Sequence, residues 1–589
     1  MLSANKEKLQ SFLMGTNQFV IPFFQRSYVW RPDNWSELWD NVNEEFLELE
    51  SGNQSSEHFI GTIIIKQKET TRVGLLEYDL IDGQQRLTTV CLLLRAFYDV
   101  TEDQNLKNWI KNLLVFTDSY GQENIRILHS RVDREYFQNI VLSSENNQTL
   151  WDDFKELKAS EFEKKLEIEN RIKGGYLFFR KKIEQEVEKD KIRSFITIIL
   201  EKLPVIHMAL SKDDDVQQIF DTINSLGVKL TTAELLKNLL YSNQAVINLY
   251  DECWYSVFEA DEDAIDFWNR DRTSGRIRRT TVELFLYSYL VILEESSVKM
   301  EALFKEFKKH LKDKTSTELV SFAKELRDFA KVYQQMPDGE NLSEISFVEH
   351  EKRFFHVIRE FEITTIFPLI LYIFKHVNDQ SERVRILNVL ESYLTRRTVC
   401  RLTTKNYNNL FLSLLGTVKK METITSNGIK TELLKYSEPT SKFPTDDEFK
   451  DAFQNTTLVN KYSREILYCI ALYQLNNDFT DNSRLNLDGF SVEHMMPKKW
   501  RNNWNNLPVG TAENFRDYKL LTLGNLTLVK GKLNSSMRDS SWEKKKESLR
   551  IFSTLRQTTD YTTKLDWNEI EMTERANDLY QSAIQIWKR

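Results

Sequence analysis

From Val246 to Ser426 the chain repeats one pattern: apolar residues return at three- and four-residue spacing through Val282–Leu293, Leu303–Leu311, Phe361–Phe374 and Val384–Tyr393. That spacing lays an apolar stripe along one face of a helix and fits no strand, whose side chains alternate with period two. Only 17 Gly and 9 Pro punctuate 589 residues, so tight turns are few and helices have room to run. A chain this long outgrows a single hydrophobic core, and about three domains are expected. Composition and pattern predict an α+β, mostly helical protein: an N-terminal domain over 1–245, a helical bundle over 246–426, and a last domain over 427–589. Residues 427–456 are polar and carry Pro439 and Pro444, so they read as a linker or long connection into that last domain.

The last domain holds the densest chemistry. Val492–Met496 is a short apolar run interrupted by Glu493 and His494, and Pro497 ends whatever strand it forms. Leu520–Val529 is a second strand-like run, broken at Gly524-Asn525, and a helix is expected through Trp542 and Leu549. The predicted order is strand, turn, strand, helix. Hydrolysing a phosphodiester requires a base for water and a cation to offset charge on the phosphate and the leaving oxygen. His494 is the side chain here that titrates near neutrality, which makes it the candidate base. Glu493 and Asn534 offer hard oxygen ligands of the kind Mg²⁺ takes alongside water and phosphate, with Mn²⁺ the alternative. Asn525 is placed to bond across the loop and orient His494.

Charge is distributed in keeping with that reading. The whole chain carries −8, yet Ser491–Arg550 has 12 Lys and Arg against 6 Asp and Glu, a local +6. Lys530, Lys532, Lys544 and Lys545 are candidate DNA phosphate contacts, the alternative being a solvated helix face. A second basic cluster, Arg270, Arg272, Arg276, Arg278 and Arg279 around Ser274-Gly275, suits phosphate equally, or salt bridging to the acidic run Glu259–Asp266.

Near the N-terminus, Phe59–Gln67 reads as a buried strand, Glu77–Ile81 as its partner, and Leu87–Tyr98 as a strong apolar helix. Between the last two lies Asp82-Gly83-Gln84-Gln85-Arg86. A strand, a Gly turn and a helix start present backbone N–H groups to a phosphate, and Arg86 and Arg26 add charge-assisted bonds. The alternative is a polar turn in which Arg86 neutralises Asp82. Thr231-x-x-Glu234 is a capping box for a helix over Leu235–Tyr241. The four cysteines lack Cys-x-x-Cys spacing and no apolar run is long enough to span a membrane, so a soluble protein of the reducing cytoplasm, with no membrane partner, is expected.

Taken together, these motifs resemble a known family. Glu493-His494-x-x-Pro497, then Asn525 in Leu-Gly-Asn-Leu-Thr, then Asn534, resembles the HNH or ββα-metal nucleases, with a 31-residue step from His494 to Asn525 that implies an insertion carrying Trp500, Trp504 and Phe515. Ile21-Pro22-x-Phe24-Gln25-Arg26-x-Tyr28-x-Trp30, Phe59-Ile60-Gly61-Thr62-Ile63, the Asp82–Thr89 turn, Arg126 with Asp133, and Phe220-x-x-x-Asn224-x-x-Gly227 resemble the ParB/sulfiredoxin-like N-terminal domain of GmrSD-type restriction proteins. Tyr393-Leu394-x-Arg396-Arg397 is similar to the same family.

The resemblance implies a modification-dependent (type IV) restriction endonuclease with both halves in one polypeptide. It would cut phage DNA carrying modified bases, notably modified cytosines such as glucosylated hydroxymethylcytosine. It further implies that the N-terminal domain binds and hydrolyses an NTP (GTP, ATP or another) through Gln25, Arg26, Asp82, Gly83, Gln84, Gln85 and Arg86, with Tyr28, Trp30, Asn224 and Gly227 in nucleotide-site or structural roles. A homodimer would let it cut both strands. Two alternatives stand beside this expectation: a nucleotide-switched DNA-binding regulator with a vestigial nuclease site, and an HNH nuclease acting on RNA.

Overall fold

The computed structural model describes residues 3–22, 25, 27–52, 58–68, 75–210, 231–241, 243, 245–274, 277–337, 342, 344–478, 483–504, 507, 512–531, 533 and 537–589. The architecture is α+β and mostly helical, as the low Gly and Pro content predicts, and it divides into two compact units, Met1–Ile247 and Asn248–Arg589. The helical middle region and the expected last domain both lie within the second unit. No helix among the described residues is long and apolar enough to cross a membrane.

The first unit is built on a mixed sheet of β1 (Ser3–Glu7), β2 (Asn17–Val20), β3 (Gly61–Gln67), β4 (Leu76–Asp82), β5 (Ile127–Leu128) and β6 (Val205–Leu210), in the order β1-β6-β3-β4-β2-β5. The predicted pair is present: β3 runs antiparallel to β4 with Ile65 opposite Leu80 and Gln67 opposite Tyr78. Helix α1 (Pro32–Glu50) starts on Pro32, whose missing N–H costs nothing at a helix start. Helix α2 (Gln84–Val100) is apolar nearly all round, and its Leu87, Val90, Leu92, Leu93, Leu94 and Phe97 are all buried, the signature of a central core helix. Around it pack α3 (Arg131–Leu142), α4 (Arg171–Glu186) and α5 (Ile192–Glu201). The predicted capping box forms at α6 (Thr232–Tyr241): Thr231 N donates to Glu234 Oε2 at 2.7 Å, and Glu234 N donates to Thr231 Oγ1 at 3.2 Å.

In the second unit the predicted stretch Val282–Leu293 lies in α7 (Thr281–Glu294) and Leu303–Leu311 is helical, with α8 (Ser316–Gln335) and α9 (His350–Glu360) following. Phe361–Phe374 is helical only from Phe367, in α10 (Phe367–His376), and Val384–Tyr393 lies in α11 (Gln380–Val399). Residues 427–456 are a correction. Where a linker was expected, helices form over Ser426–Leu434 and Asp446–Asn455, and Ile429, Leu433, Phe449 and Phe453 are buried. The pairs at i, i+4 and the capping box of Thr445 with Glu448 outweigh the two prolines, which sit in the connection between the helices. Buried Arg396 and Arg397 hold that connection: Arg397 donates to the carbonyls of Lys442 (2.8 Å) and Thr440 (3.0 Å), and Arg396 to those of Pro444 (3.2 Å) and Trp587 (2.8 Å). The paired arginines therefore serve as a clamp on the segment leading into the last domain.

Candidate nuclease site

The expected strand, turn, strand and helix are present. Strand β7 (Phe490–His494) pairs antiparallel with β8 (Leu526–Lys530), with Phe490 opposite Lys530, Glu493 opposite Thr527 and His494 opposite Leu526. Beneath both lies α12 (Asn460–Asp478), whose Arg464 donates to the carbonyls of Phe490 (3.0 Å) and Leu487 (2.6 Å) and so fixes how β7 enters. Helix α14 (Trp542–Phe552) follows, after α13 (Glu513–Lys519). Helix α15 (Glu569–Ile586) closes the domain.

Three interactions hold the break before β8. Asn525 is fully buried and all its side-chain bonding capacity is used: Oδ1 accepts from Met496 N (2.8 Å) and Trp567 Nε1 (3.0 Å), and Nδ2 donates to the carbonyls of Met496 (2.9 Å) and Leu520 (3.0 Å). This corrects the expectation that Asn525 orients the His494 imidazole. It bonds across the loop as foreseen, but to the backbone two residues beyond His494, and its own carbonyl accepts from Met495 N at 2.9 Å. Arg575, buried on α15, donates from Nη1 to the carbonyls of Leu523 (3.0 Å), Gly524 (3.0 Å) and Leu526 (2.7 Å), and burial lowers its guanidinium to about 10. Gly524 has no room for a side chain, because a β-carbon there would overlap the Met572 carbonyl of α15.

His494 ends β7 and is partly exposed. Burial, reinforced by the positive charges of Lys498 and Lys545, lowers its imidazole from 6.5 to about 4, so it is neutral near pH 7 and has a lone pair to accept a proton. Glu493 points into the domain. Its carboxylate pairs with the Lys545 ammonium, and Lys545 Nζ also donates to the His494 carbonyl at 2.7 Å. Burial pushes the Glu493 carboxyl up and the Lys545 ammonium down, and each opposes the other's shift by Coulomb attraction. Removing either partner alone would cost roughly 3–5 kcal/mol by stranding a buried charge.

Lys545 therefore is not a surface phosphate contact. It is fully buried, whereas Lys530 and Lys544 are exposed and remain available to DNA. Two oxygen acceptors, the Glu493 carboxylate and the His494 carbonyl, converge on one positive charge. That is the donor chemistry a hard divalent cation uses, so the residues fit one. No group of three His, Cys, Asp or Glu side chains suited to a metal comes together among the described residues. Asn534, the other expected ligand, lies outside the described residues, as does Lys532.

The insertion between His494 and Asn525 is structural over its described residues. Trp500 and Trp504 are buried with Met495, Met496, Trp542 and Trp567, while Phe515 is half exposed. Arg516 of α13 is buried, donates to the Trp504 carbonyl at 3.0 Å and pairs with Glu569 at the start of α15.

In the first unit the Asp82–Arg86 turn forms as predicted, with Gly83 at φ +95° opening α2 and no side chain capping the helix start. A β-carbon at Gly83 would meet Ile63 at 3.0 Å, so both backbone angle and space favour glycine. The flanking side chains are committed within the protein. Gln25 Nε2 donates to the carbonyls of Leu80 (2.6 Å) and Ile81 (3.0 Å), and Gln85 accepts from Val29 N (2.9 Å) and donates to the Ser27 carbonyl (3.0 Å). Tyr28 is buried, its hydroxyl bonded with Thr89 (2.6 Å) and Trp35 (2.8 Å) and its N–H with Asp133 (2.6 Å), so its role is structural. Trp30 is partly buried against the core and Gln84 is buried. Arg86 donates to the Thr62 carbonyl at 2.7 Å and lies 3.5 Å from Asp82, both side chains partly exposed. Arg26, Asn224 and Gly227 lie outside the described residues.

The basic cluster forms a ribbon of Asp271–Ser274 against Ile277–Thr280. Arg278 pairs with Asp271 at 2.9 Å and Arg279 with Glu301 at 3.7 Å, neither acid belonging to the run Glu259–Asp266, and Arg276 lies outside the described residues.

Two family models match the chain. The GmrSD restriction endonuclease N-terminal domain matches residues 8–241, and the GmrSD restriction endonuclease C-terminal domain matches residues 443–582, together more than half of the sequence. No curated protein matches it.

Proposed function

Because the chain belongs to the GmrSD restriction endonuclease family, we propose that it cleaves phage DNA bearing modified bases, modified cytosines above all, and that NTP bound in its N-terminal domain governs the cut. The chain is a restriction endonuclease of that family and its substrate is DNA. The observation that carries the chemical reading is the neutral, partly exposed His494 at the end of β7, next in sequence to Glu493, whose carboxylate pairs with the Lys545 ammonium.

His494 accepts the proton of the attacking water. Glu493, with Asn534, would hold a divalent cation, Mg²⁺ or Mn²⁺, which supplies charge to offset the phosphate and leaving oxygen. Asn525, Arg575 and Trp567 keep the loop after His494 and the start of β8 in register, and Lys530 and Lys544 meet the backbone phosphates without reading sequence. In the first unit, the uncapped start of α2 and the Arg86 guanidinium receive the NTP phosphates. Gln25 and Gln85 brace the neighbouring loop.

The decisive experiment is digestion of unmodified DNA, hydroxymethylated DNA, glucosylated DNA and RNA, each with and without Mg²⁺ and each NTP. Cutting confined to modified DNA and dependent on NTP supports the reading; equal cutting of unmodified DNA removes the modification, and cutting of RNA alone removes the substrate. Arg86→Ala is expected to lower NTP turnover at least tenfold, and turnover at the parent rate in that variant would leave the Asp82–Arg86 turn a structural feature.

The pH dependence follows from His494. Protonation removes its lone pair, so kcat/KM should fall only as pH drops toward about 4 and stay level through 6.5. Between those values the unfolded chain binds more protons than the folded one, so the stability contributed by this group is complete above 6.5 and lost as pH falls through about 4. An acid limb centred at or above 6.5 would contradict the assignment of His494 as base.

A further inference from the structure

The Lys545 ammonium occupies Glu493 and the His494 carbonyl together, within a fully buried environment. We infer that Lys545 is an internal competitor for the divalent cation, so that metal binding at Glu493 is coupled to DNA binding. The inference rests on the nuclease reading above and concerns how its site is regulated.

The physical argument is one of charge. A carboxylate with a lysine ammonium against it sums to zero, so a cation approaching the pair gains little attraction and must displace Nζ from two oxygen acceptors. A DNA phosphate changes both terms. It adds negative charge that retains the metal, and it offers the displaced ammonium a new partner of the kind lysine takes as a point charge. Coupling of this sort is reciprocal: DNA tightens metal binding, and metal tightens DNA binding by the same factor. The free enzyme is thereby kept from assembling a charged cation site before a duplex is present.

Before any duplex binds, Lys545 also acts on His494 through its main chain. It holds the His494 main-chain oxygen at 2.7 Å, so its displacement releases that oxygen at the moment the site is loaded. Trp542 and Leu549 flank it on the buried face of α14, which gives the side chain a fixed root from which only its flexible end needs to move.

The test uses the full chain carrying His494→Ala, which keeps the Glu493 carboxylate and the carbonyl of residue 494 while leaving DNA uncut. Mn²⁺ binding is read from loss of the free-ion EPR signal, with and without a duplex and after subtraction of binding to the duplex alone. DNA is expected to tighten protein-bound Mn²⁺ by at least about tenfold. Lys545→Met is expected to tighten Mn²⁺ by a similar factor without DNA and to reduce the effect of DNA. Glu493→Gln should lose the site in both states. Equal Mn²⁺ affinity with and without DNA overturns the inference, as does a Lys545→Met variant whose DNA-free affinity is unchanged or weaker. Should Lys545→Met fail to fold, Lys545→Gln and the comparison with and without DNA in the parent decide. Cleavage persisting in His494→Ala is seen on a gel independently of the EPR signal and overturns the nuclease reading itself.

Discussion

Replacing His494 with alanine is expected to reduce DNA cleavage by about a thousandfold or more while leaving NTP turnover intact. General-base catalysis contributes roughly 10²–10⁴-fold, and no other described His lies in this domain to take over the proton. The substitution is mild for the fold, because the side chain is partly exposed at the end of β7 and the strand pairing with Leu526 is made by backbone atoms. A gel-based cleavage assay beside a phosphate-release assay, with thermal melting as a control, reads all three quantities. Retained cleavage with lost turnover would exchange the roles assigned to the two units. Loss of both with an unchanged melt would point to obligatory coupling of the two activities.

How much of this was visible before the structure depends on which atoms carry each interaction. The hairpin of Phe490–His494 and Leu526–Lys530 was legible because its apolar runs and breakers are side-chain features. The capping box of Thr231 and Glu234 was legible for the same reason. The partners of Asn525 were not, since three of its four side-chain bonds run to backbone atoms that no residue type marks. The burial of Lys545 runs against its chemistry: lysines belong on surfaces by default, but this one stands three residues after Trp542 and four before Leu549, on the same helix face. That spacing was the available signal. Residues 427–456 were read from their two prolines when the apolar pairs Ile429 with Leu433 and Phe449 with Phe453 already marked helices. The bonds of Gln25 and Gln85 were not legible either, because residue type does not disclose that these amides reach the protein's own carbonyls and N–H groups.

Gly524→Ala is expected to destabilise the second unit by more than about 3 kcal/mol, at the severe end for a single substitution and through a named cause. The added methyl would overlap the Met572 carbonyl, which is backbone of α15 and cannot rotate aside as a flexible side chain would. Relief requires α15 and the Leu523–Asn525 turn to separate. That movement would break the three Arg575 bonds to the carbonyls of Leu523, Gly524 and Leu526 and the Trp567 bond to Asn525, leaving buried carbonyls unpaired at about 1–3 kcal/mol each. Because those bonds hold the start of β8 and the loop after His494, cleavage should fall with stability, whereas NTP turnover in the first unit should persist. The matched control is Gly531→Ala: nothing among the described residues lies within 4 Å of a β-carbon at that position, and its effect should stay within about 0.5 kcal/mol. Urea unfolding of both variants, followed by tryptophan fluorescence, checks the difference. A Gly524→Ala protein as stable as the Gly531→Ala protein would mean that α15 does not press on the turn, and the account of how the site is held would fail with it.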